Sequence, residues 1–370
     1  MALLHPFHWD DVPRGGERYL RDLAWYLAGR GHRVDVIVGT REQARVEDYE
    51  GARVEVLRVR LPARLASQGL RVHETFGAHV LPLLLRRRYD VVHALVPAAA
   101  IAARLAGQRV VYTFLGHPTP EQFAHRPKLW RLISAGVRAA QCPTAFSDAS
   151  ARAVTAMTGQ RCLGLPLGVR LADFPTETSA RSGPPRLLFA GFPGERRKGI
   201  DLALTALGRV LEVHPEARLL VPGTPADRAG ATDELDPVTR DRVLAATDDL
   251  GVLPMSAMGD LYRSATVSLL PAVWEAFGVS LVESLASGTP VVCSDDGGMP
   301  AIVGDSGVGV VVPPRDAGAL AEGLLAAIEL ARQPGTPARA AARSRQWGWA
   351  ESVGPLHERV YAELRAGRHP

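Results

Sequence analysis

Short apolar runs alternate with stretches of helical period along most of the chain. In the first half, Ala2–His5, Val34–Val38, Val54–Val59, Val91–Ala94 and Val110–Thr113 read as strands. A helix is expected from about Gly16 to Arg30, with Leu20, Leu23, Ala24, Leu27 and Ala28 on one face and Gly31-His32 ending it. The segment His79–Leu85 also reads as helical and runs into Arg86-Arg87-Arg88. The pattern stops at Thr176–Pro185 (TETSARSGPP), which is polar and rich in Ser, Gly and Pro, as linkers are. It then restarts with strands at Leu187–Ala190, Arg218–Val221, Val252–Leu253, Val267–Leu270, Val291–Cys293 and Val308–Val312. Helices are expected between and after them at Ile200–Val213, Pro237–Ala246, Met258–Ala265, Val279–Ser287 and Ala317–Leu330. The tail Gln346–Ala366 is read as one more helix.

Strands alternating with helices argue for parallel sheets covered by helices. The expected fold is α/β, with two doubly wound Rossmann-like domains facing across a cleft. Residues 1–178 form the first, 179–345 the second, and 346–370 a C-terminal helix packing back on the first. In such sheets ligands bind beyond the carboxyl ends of the strands.

Composition narrows the class. With 370 residues and 46% hydrophobic content the chain can build two cores. No apolar run of spanning length appears, and MALLHPFHWDD lacks a basic region followed by an apolar core, so a cytoplasmic protein without a signal peptide is expected. Cys142, Cys162 and Cys293 have no metal-ligand spacing and read as reduced structural thiols. The net charge of +4 divides unevenly: residues 1–175 carry 24 basic and 15 acidic side chains, and residues 176–370 carry 19 and 24. Nearly all basic residues are Arg; the two Lys are Lys128 and Lys198. No aromatic-basic platform or helix-turn-helix pattern accompanies the charge, which argues against nucleic acid as a partner.

The chemistry concentrates in PAVWEAFGVSLVESLASGTPVVCSDDGGMP, residues 271–300. Glu275 follows a strand and precedes a helix. The first-turn amides at Phe277, Gly278 and Val279 can meet anions or sugar hydroxyls. Glu283 lies further along the same helix, and a carboxylate there can accept from vicinal hydroxyls such as a ribose diol. Lys198, in the basic run Arg196-Arg197-Lys198, suits a departing diphosphate, whose charge a placed cation stabilises. Gly15-Gly16 follows the first strand and opens a helix, so its amides can also face phosphate.

This arrangement resembles the E-x7-E signature of the retaining glycosyltransferases of family 4, which have the GT-B fold. RGGERYLRDLAWYLAGRGHRVDVIV, AGFPGERRKGIDLAL and GDSGVGVVVPPRDAGALAEGL resemble further stretches of that family, so the likeness covers nearly the whole chain. It implies a metal-independent hexosyltransferase that moves a sugar from a nucleotide-diphosphate sugar, UDP or GDP, to an acceptor hydroxyl. Glu275 would contact the transferred sugar and Glu283 the ribose. Ala276, Phe277, Gly278, Val279, Ser280, Gly191, Arg196, Arg197 and Lys198 would line the donor site, with Gly15 and Gly16 meeting its phosphates from the first domain.

The chain departs from the family at several positions. Where members often carry Thr-x-His-Gly, the sequence reads Thr113-Phe114-Leu115-Gly116-His117, which makes His117 the candidate catalytic histidine two residues late. The family's Gly-Arg pair is Gly191-Phe192, with Arg197 as the replacement cation, and Ala301 stands where a Glu is usual. Two other readings stay open on these grounds: a non-catalytic sugar-nucleotide binder or partner subunit, and a GT-B sugar-nucleotide epimerase. His93, at a strand end in DVVHAL, is read as a satisfied loop histidine in preference to a catalyst. Neither Asp295-Asp296 nor Asp10-Asp11 has metal-site spacing. The acceptor is expected to be a small molecule or lipid-linked. Arg58, Arg60, Arg64, Arg71 and Arg86 to Arg88 give the first domain a basic surface suited to peripheral contact with an anionic membrane.

Overall fold

The computed structural model describes residues 1–10, 15–40, 42–59, 72–177 and 179–368. The chain divides into two compact units, Met1–Gly168 with Trp349–Pro370, and Val169–Gly348. Each is built on one sheet.

The first unit's sheet holds β1 (Ala2–His5), β2 (Asp35–Thr40), β3 (Arg45–Tyr49), β4 (Ala52–Arg58), β5 (Val92–Ala94), β6 (Val110–Phe114), β7 (Cys142–Ala145) and β8 (Leu163–Gly164), in the order β3-β4-β2-β1-β5-β6-β7-β8. All neighbours run parallel except β3 and β4. Those two form an antiparallel hairpin closed by Glu50-Gly51, whose φ values of 48° and 88° suit a two-residue turn. The second unit's sheet is wholly parallel: β9 (Arg186–Phe189), β10 (Arg218–Val221), β11 (Thr247–Asp249), β12 (Val267–Leu270), β13 (Val291–Ser294) and β14 (Gly309–Val312), ordered β11-β10-β9-β12-β13-β14. Helices cover parallel strands on both faces, so these strands read as continuous apolar runs. In the second unit Leu187, Phe189, Leu269 and Val292 pack with Leu204, Leu207, Leu324 and Ile328 in one core. Each such side chain contributes roughly 1.5–3 kcal/mol on burial.

Several expectations need correction. The stretch Thr176–Pro185 does not divide the units; the chain enters the second unit at Val169. Thr176 Oγ1 donates to the Ala286 carbonyl at 2.8 Å, and Arg181 donates to the Ala265 carbonyl and to Thr289 Oγ1, so polar side chains that suggested a linker tie it to the second unit. The second crossing falls between Gly348 and Trp349. The strand expected at Val252–Leu253 is at Thr247–Asp249; Val252 is 87% exposed. The tail is not one helix: a 3-10 turn Arg345–Trp347 and a π turn Trp349–Val353 precede the helix Gly354–Arg365.

That tail belongs to the first unit through specific contacts. The Trp349 ring stacks near Tyr19 and Tyr26, and the Tyr19 hydroxyl lies 2.7 Å from His357 Nε2. His93 sits inside β5, fully buried. Its Nδ1 is 2.7 Å from the Tyr361 hydroxyl and its Nε2 is 2.6 Å from Thr113 Oγ1, which makes it a structural link between sheet and tail. Burial pushes the His93 imidazole well below the ordinary histidine range, and the nearby His357 adds to this.

Candidate functional site

In the second sheet the chain runs outward from β9 to β10 and β11, then returns to lay β12 on the other side of β9. At such a switch point the loops beyond the carboxyl ends diverge and leave a crevice. β9 leads to the 3-10 turn Arg196–Lys198, and β12 leads to the segment 271–278. Gly199, at φ 78°, lets the two loops meet, since a Cβ there would lie 2.3 Å from the Pro271 carbonyl oxygen.

The two loops join through charge. Lys198 Nζ donates to Glu275 Oε2 at 2.7 Å, and Arg197 Nη1 donates to the same oxygen at 3.0 Å. Arg197 also pairs through Nη2 with Glu195 Oε2 at 2.8 Å. Burial alone would raise the Glu275 carboxyl, but Lys198 and Arg197 outweigh it and hold its pKa below the usual value. Its backbone is fixed as well: the N–H donates to Asp296 Oδ1 at 3.1 Å, and the carbonyl accepts from Gly298 N–H at 3.1 Å.

Beyond Glu275, Ala276 and Phe277 are buried, and the Phe277 ring meets Trp347 edge-on. Gly278 is a left-handed N-cap at φ 92° to the helix Val279–Ala286, with half-buried Val279 and Ser280 in the first turn. A glycine cap offers no side chain to the first-turn N–H groups, and the Leu281 N–H donates instead to the Gly278 carbonyl at 2.9 Å. Glu283 is on this helix but nearly fully buried, and its Oε2 accepts from the Tyr262 hydroxyl at 2.8 Å. Gly191 lies against the Lys198 stem, where a Cβ would come within 3.0 Å. Arg196 goes elsewhere: its Nη2 donates to the Ala229 carbonyl at 3.2 Å.

The structure brings the sequence candidates Lys198 and Glu275 into contact and adds three residues around the candidates that sequence reasoning did not place there. Glu195 shares Arg197, Asp296 anchors the Glu275 backbone, and Tyr262 holds Glu283. An acid two residues before a cation was a usable sign for Glu195; Asp296 and Tyr262 arrive from distant elements and left none.

In the first unit, Gly15 and Gly16 open the helix Gly15–Gly29 after β1, which neighbours β5 at that sheet's own switch point. The Leu115 side chain lies over Gly16, with Cδ1 2.9 Å from where a Cβ would stand. His117, the expected catalytic histidine, turns toward the helix Asp148–Thr158, with Nδ1 3.1 Å from Ser150 Oγ. Arg58 and Arg86 to Arg88 are described, and Arg87 is committed to Glu55; Arg60, Arg64 and Arg71 lie outside the described residues. Among the described residues no cluster of three His, Cys, Asp or Glu side chains is placed to hold a metal, and no helix is long and apolar enough to cross a membrane.

Comparison with known proteins gives this geometry a setting. The family model described as "Glycosyltransferase Family 4" matches residues 13–172, and "Glycosyl transferases group 1" matches residues 174–347. The phosphatidyl-myo-inositol mannosyltransferase of Mycobacterium tuberculosis is 30% identical over 350 residues, covering 89% of this chain and 87% of that protein. A D-inositol 3-phosphate glycosyltransferase of Xylanimonas cellulosilytica is 33% identical over 224 residues, covering 55% and 52%. Among solved structures, the sucrose-phosphate synthase of Thermosynechococcus elongatus superposes with a TM-score of 0.79 at 22% identity, covering 99% of both chains. Anabaena HepE in complex with UDP superposes with a TM-score of 0.73 at 20% identity, also over 99% of both. The chain belongs to glycosyltransferase family 4, with the GT-B fold, and is a retaining glycosyltransferase that moves a sugar from a nucleotide sugar to an acceptor hydroxyl.

Proposed function

We propose that the protein transfers a hexose from UDP- or GDP-sugar to a hydroxyl of a phosphorylated inositol, free or lipid-linked, without a metal ion. The observation that carries the donor side is the convergence of Lys198 and Arg197 on one oxygen of Glu275. Both cations are assigned to the diphosphate, and Glu275 to the hydroxyls of the transferred sugar. Glu283 is assigned to the ribose diol, with Tyr262 orienting it. The glycosidic bond to phosphate breaks, the acceptor oxygen bonds to the anomeric carbon on the same face, and the acceptor proton passes to the leaving phosphate. Lys198 and Arg197 stabilise the charge left on the diphosphate.

An anionic polyol acceptor is supported by the net charge of +9 over residues 1–175 and by the inositol-directed names of the relatives. The same basic half is assigned peripheral contact with anionic lipid on the cytoplasmic face. The test is nucleoside-diphosphate release from GDP-mannose and UDP-glucose, each with myo-inositol 1-phosphate or phosphatidylinositol vesicles, with and without EDTA. Acceptor-dependent release that EDTA leaves intact is expected. Release with neutral sugars alone, or only after Mg²⁺ is restored, contradicts the acceptor class or the metal-free reading respectively.

A further inference from the structure

Three non-glycine residues among those described have a left-handed backbone: Glu50, Trp274 and Arg315, at φ 48°, 57° and 60°. Glu50 is accounted for by its hairpin turn. Trp274 and Arg315 are not in hairpins. They stand in loops after different strands, β12 and β14, and they meet: the Arg315 guanidinium carbon lies 5.6 Å from the centre of the Trp274 ring. A bulky residue in this region is strained, and such strain persists only where surrounding structure imposes it.

The surroundings of Trp274 explain what the strain accomplishes. β12 lies between β9 and β13. Val273, just before Trp274, donates its N–H to the Arg197 carbonyl at 2.8 Å, on the β9 side. Glu275, just after it, is bound through both backbone groups to Asp296 and Gly298, on the β13 side. The chain therefore passes from one neighbouring loop to the other across a single residue. The left-handed turn at Trp274 accomplishes that passage and leaves the Glu275 side chain facing Lys198 and Arg197. Glycine would take this backbone without strain. Tryptophan adds a ring, and Arg315 holds the ring by its cation.

We propose that Trp274 and Arg315 form a brace that fixes the direction of the Glu275 carboxylate in the donor site. Trp274 is a positioning residue: it acts through Glu275. The inference rests on the reading of Glu275 as the carboxylate that contacts the transferred sugar.

The test compares Trp274→Gly, Trp274→Phe and Arg315→Gln with wild type in the release assay, alongside calorimetric binding of GDP and UDP and thermal melting. Trp274→Gly keeps or raises its melting temperature, binds the nucleotide within about twofold, and loses about 10- to 100-fold in kcat, the scale expected when a reacting group is slightly misplaced. Trp274→Phe, which retains a ring for Arg315, stays within about threefold of wild type, and Arg315→Gln loses about three- to tenfold. Folded Trp274→Gly turning over at the wild-type rate overturns the brace. So does a loss in which nucleotide binding and melting temperature fall together and Phe does not rescue. If Trp274→Gly does not fold, the exposed Arg315 decides: wild-type kcat in Arg315→Gln overturns the proposal. Glu275→Gln separates the two claims, because wild-type turnover in that variant refutes the role of Glu275 itself.

Discussion

At Glu275 two cations share one carboxylate oxygen, and this placement decides which of three consecutive basic residues matters. A 3-10 turn sets successive side chains about 120° apart, so Arg196, Arg197 and Lys198 cannot all face one point. Arg197 and Lys198 reach Glu275, while Arg196 reaches the Ala229 carbonyl. The sequence named all three as donor residues because a run of like charges carries no phase until the turn type is known. The arrangement predicts an asymmetry. Arg197→Ala is expected to weaken GDP or UDP binding about tenfold or more, the worth of one charge-assisted hydrogen bond. Arg196→Ala is expected to change it less than about twofold, since an exposed side chain bound to a carbonyl contributes little. Calorimetry on both variants checks this; equal losses would place Arg196 in the site as well.

Among elements, most buried strands were legible and most edges were not; β14, an edge, was read from Val308–Val312, whereas β7, between β6 and β8, is the run Cys142-Pro143-Thr144-Ala145 and gave no strand signal. β9, β10, β12 and β13 are buried on both faces and appear in the sequence as apolar runs. β11 is the polar triplet Thr247-Asp248-Asp249 at a sheet edge, where Asp248 and Asp249 pair with Arg218 and Arg228, so no hydrophobic signal marked it. β3 was missed for the same reason, as Arg45–Tyr49 is half-buried and polar. The purpose of the Gly297-Gly298 loop depends on a distant contact. Gly297, at φ 58°, lies where a Cβ would stand 1.8 Å from the Glu275 carbonyl oxygen. Gly297→Ala therefore has to move the backbone that carries Glu275, at a cost of at least about 2 kcal/mol for the strained φ and the displaced neighbour. A fall of about 4–8 °C in melting temperature is expected, with loss of turnover beyond what the remaining folded fraction explains. A variant that melts and turns over as wild type would show that the loop does not set the position of Glu275.

Across the whole molecule, the path of the chain ties the C-terminal tail into the first unit through buried histidines, and this makes stability depend on pH. Burial lowers the His357 imidazole to about 4, although its bond to the Val353 carbonyl opposes the shift. A base with a lowered folded pKa binds its proton more readily when unfolded, so stability falls as pH drops below the unfolded value near 6.5 and levels off near the folded value. For His357 alone about 2 kcal/mol is lost between pH 7 and pH 5, and His93 adds to the loss in the same direction. Glu275 acts on a separate window: with its pKa held low, its contribution is present at and above pH 5 and is lost only on further acidification. Urea midpoints at the two pH values check this, with His357→Gln expected to flatten the dependence and an unchanged slope counting against the buried-histidine account. The charge division between the two halves was legible from composition; the tail was expected as one helix packing back on the first domain, and the two turns that precede its helix were not foreseen. The account as a whole rests on the cation pair at Glu275 being the diphosphate subsite, and calorimetric titration of GDP and UDP into wild type and Lys198→Ala tests this most directly. At least about tenfold weaker binding of the preferred nucleotide in a variant that remains folded is the expected result; undiminished affinity would contradict it.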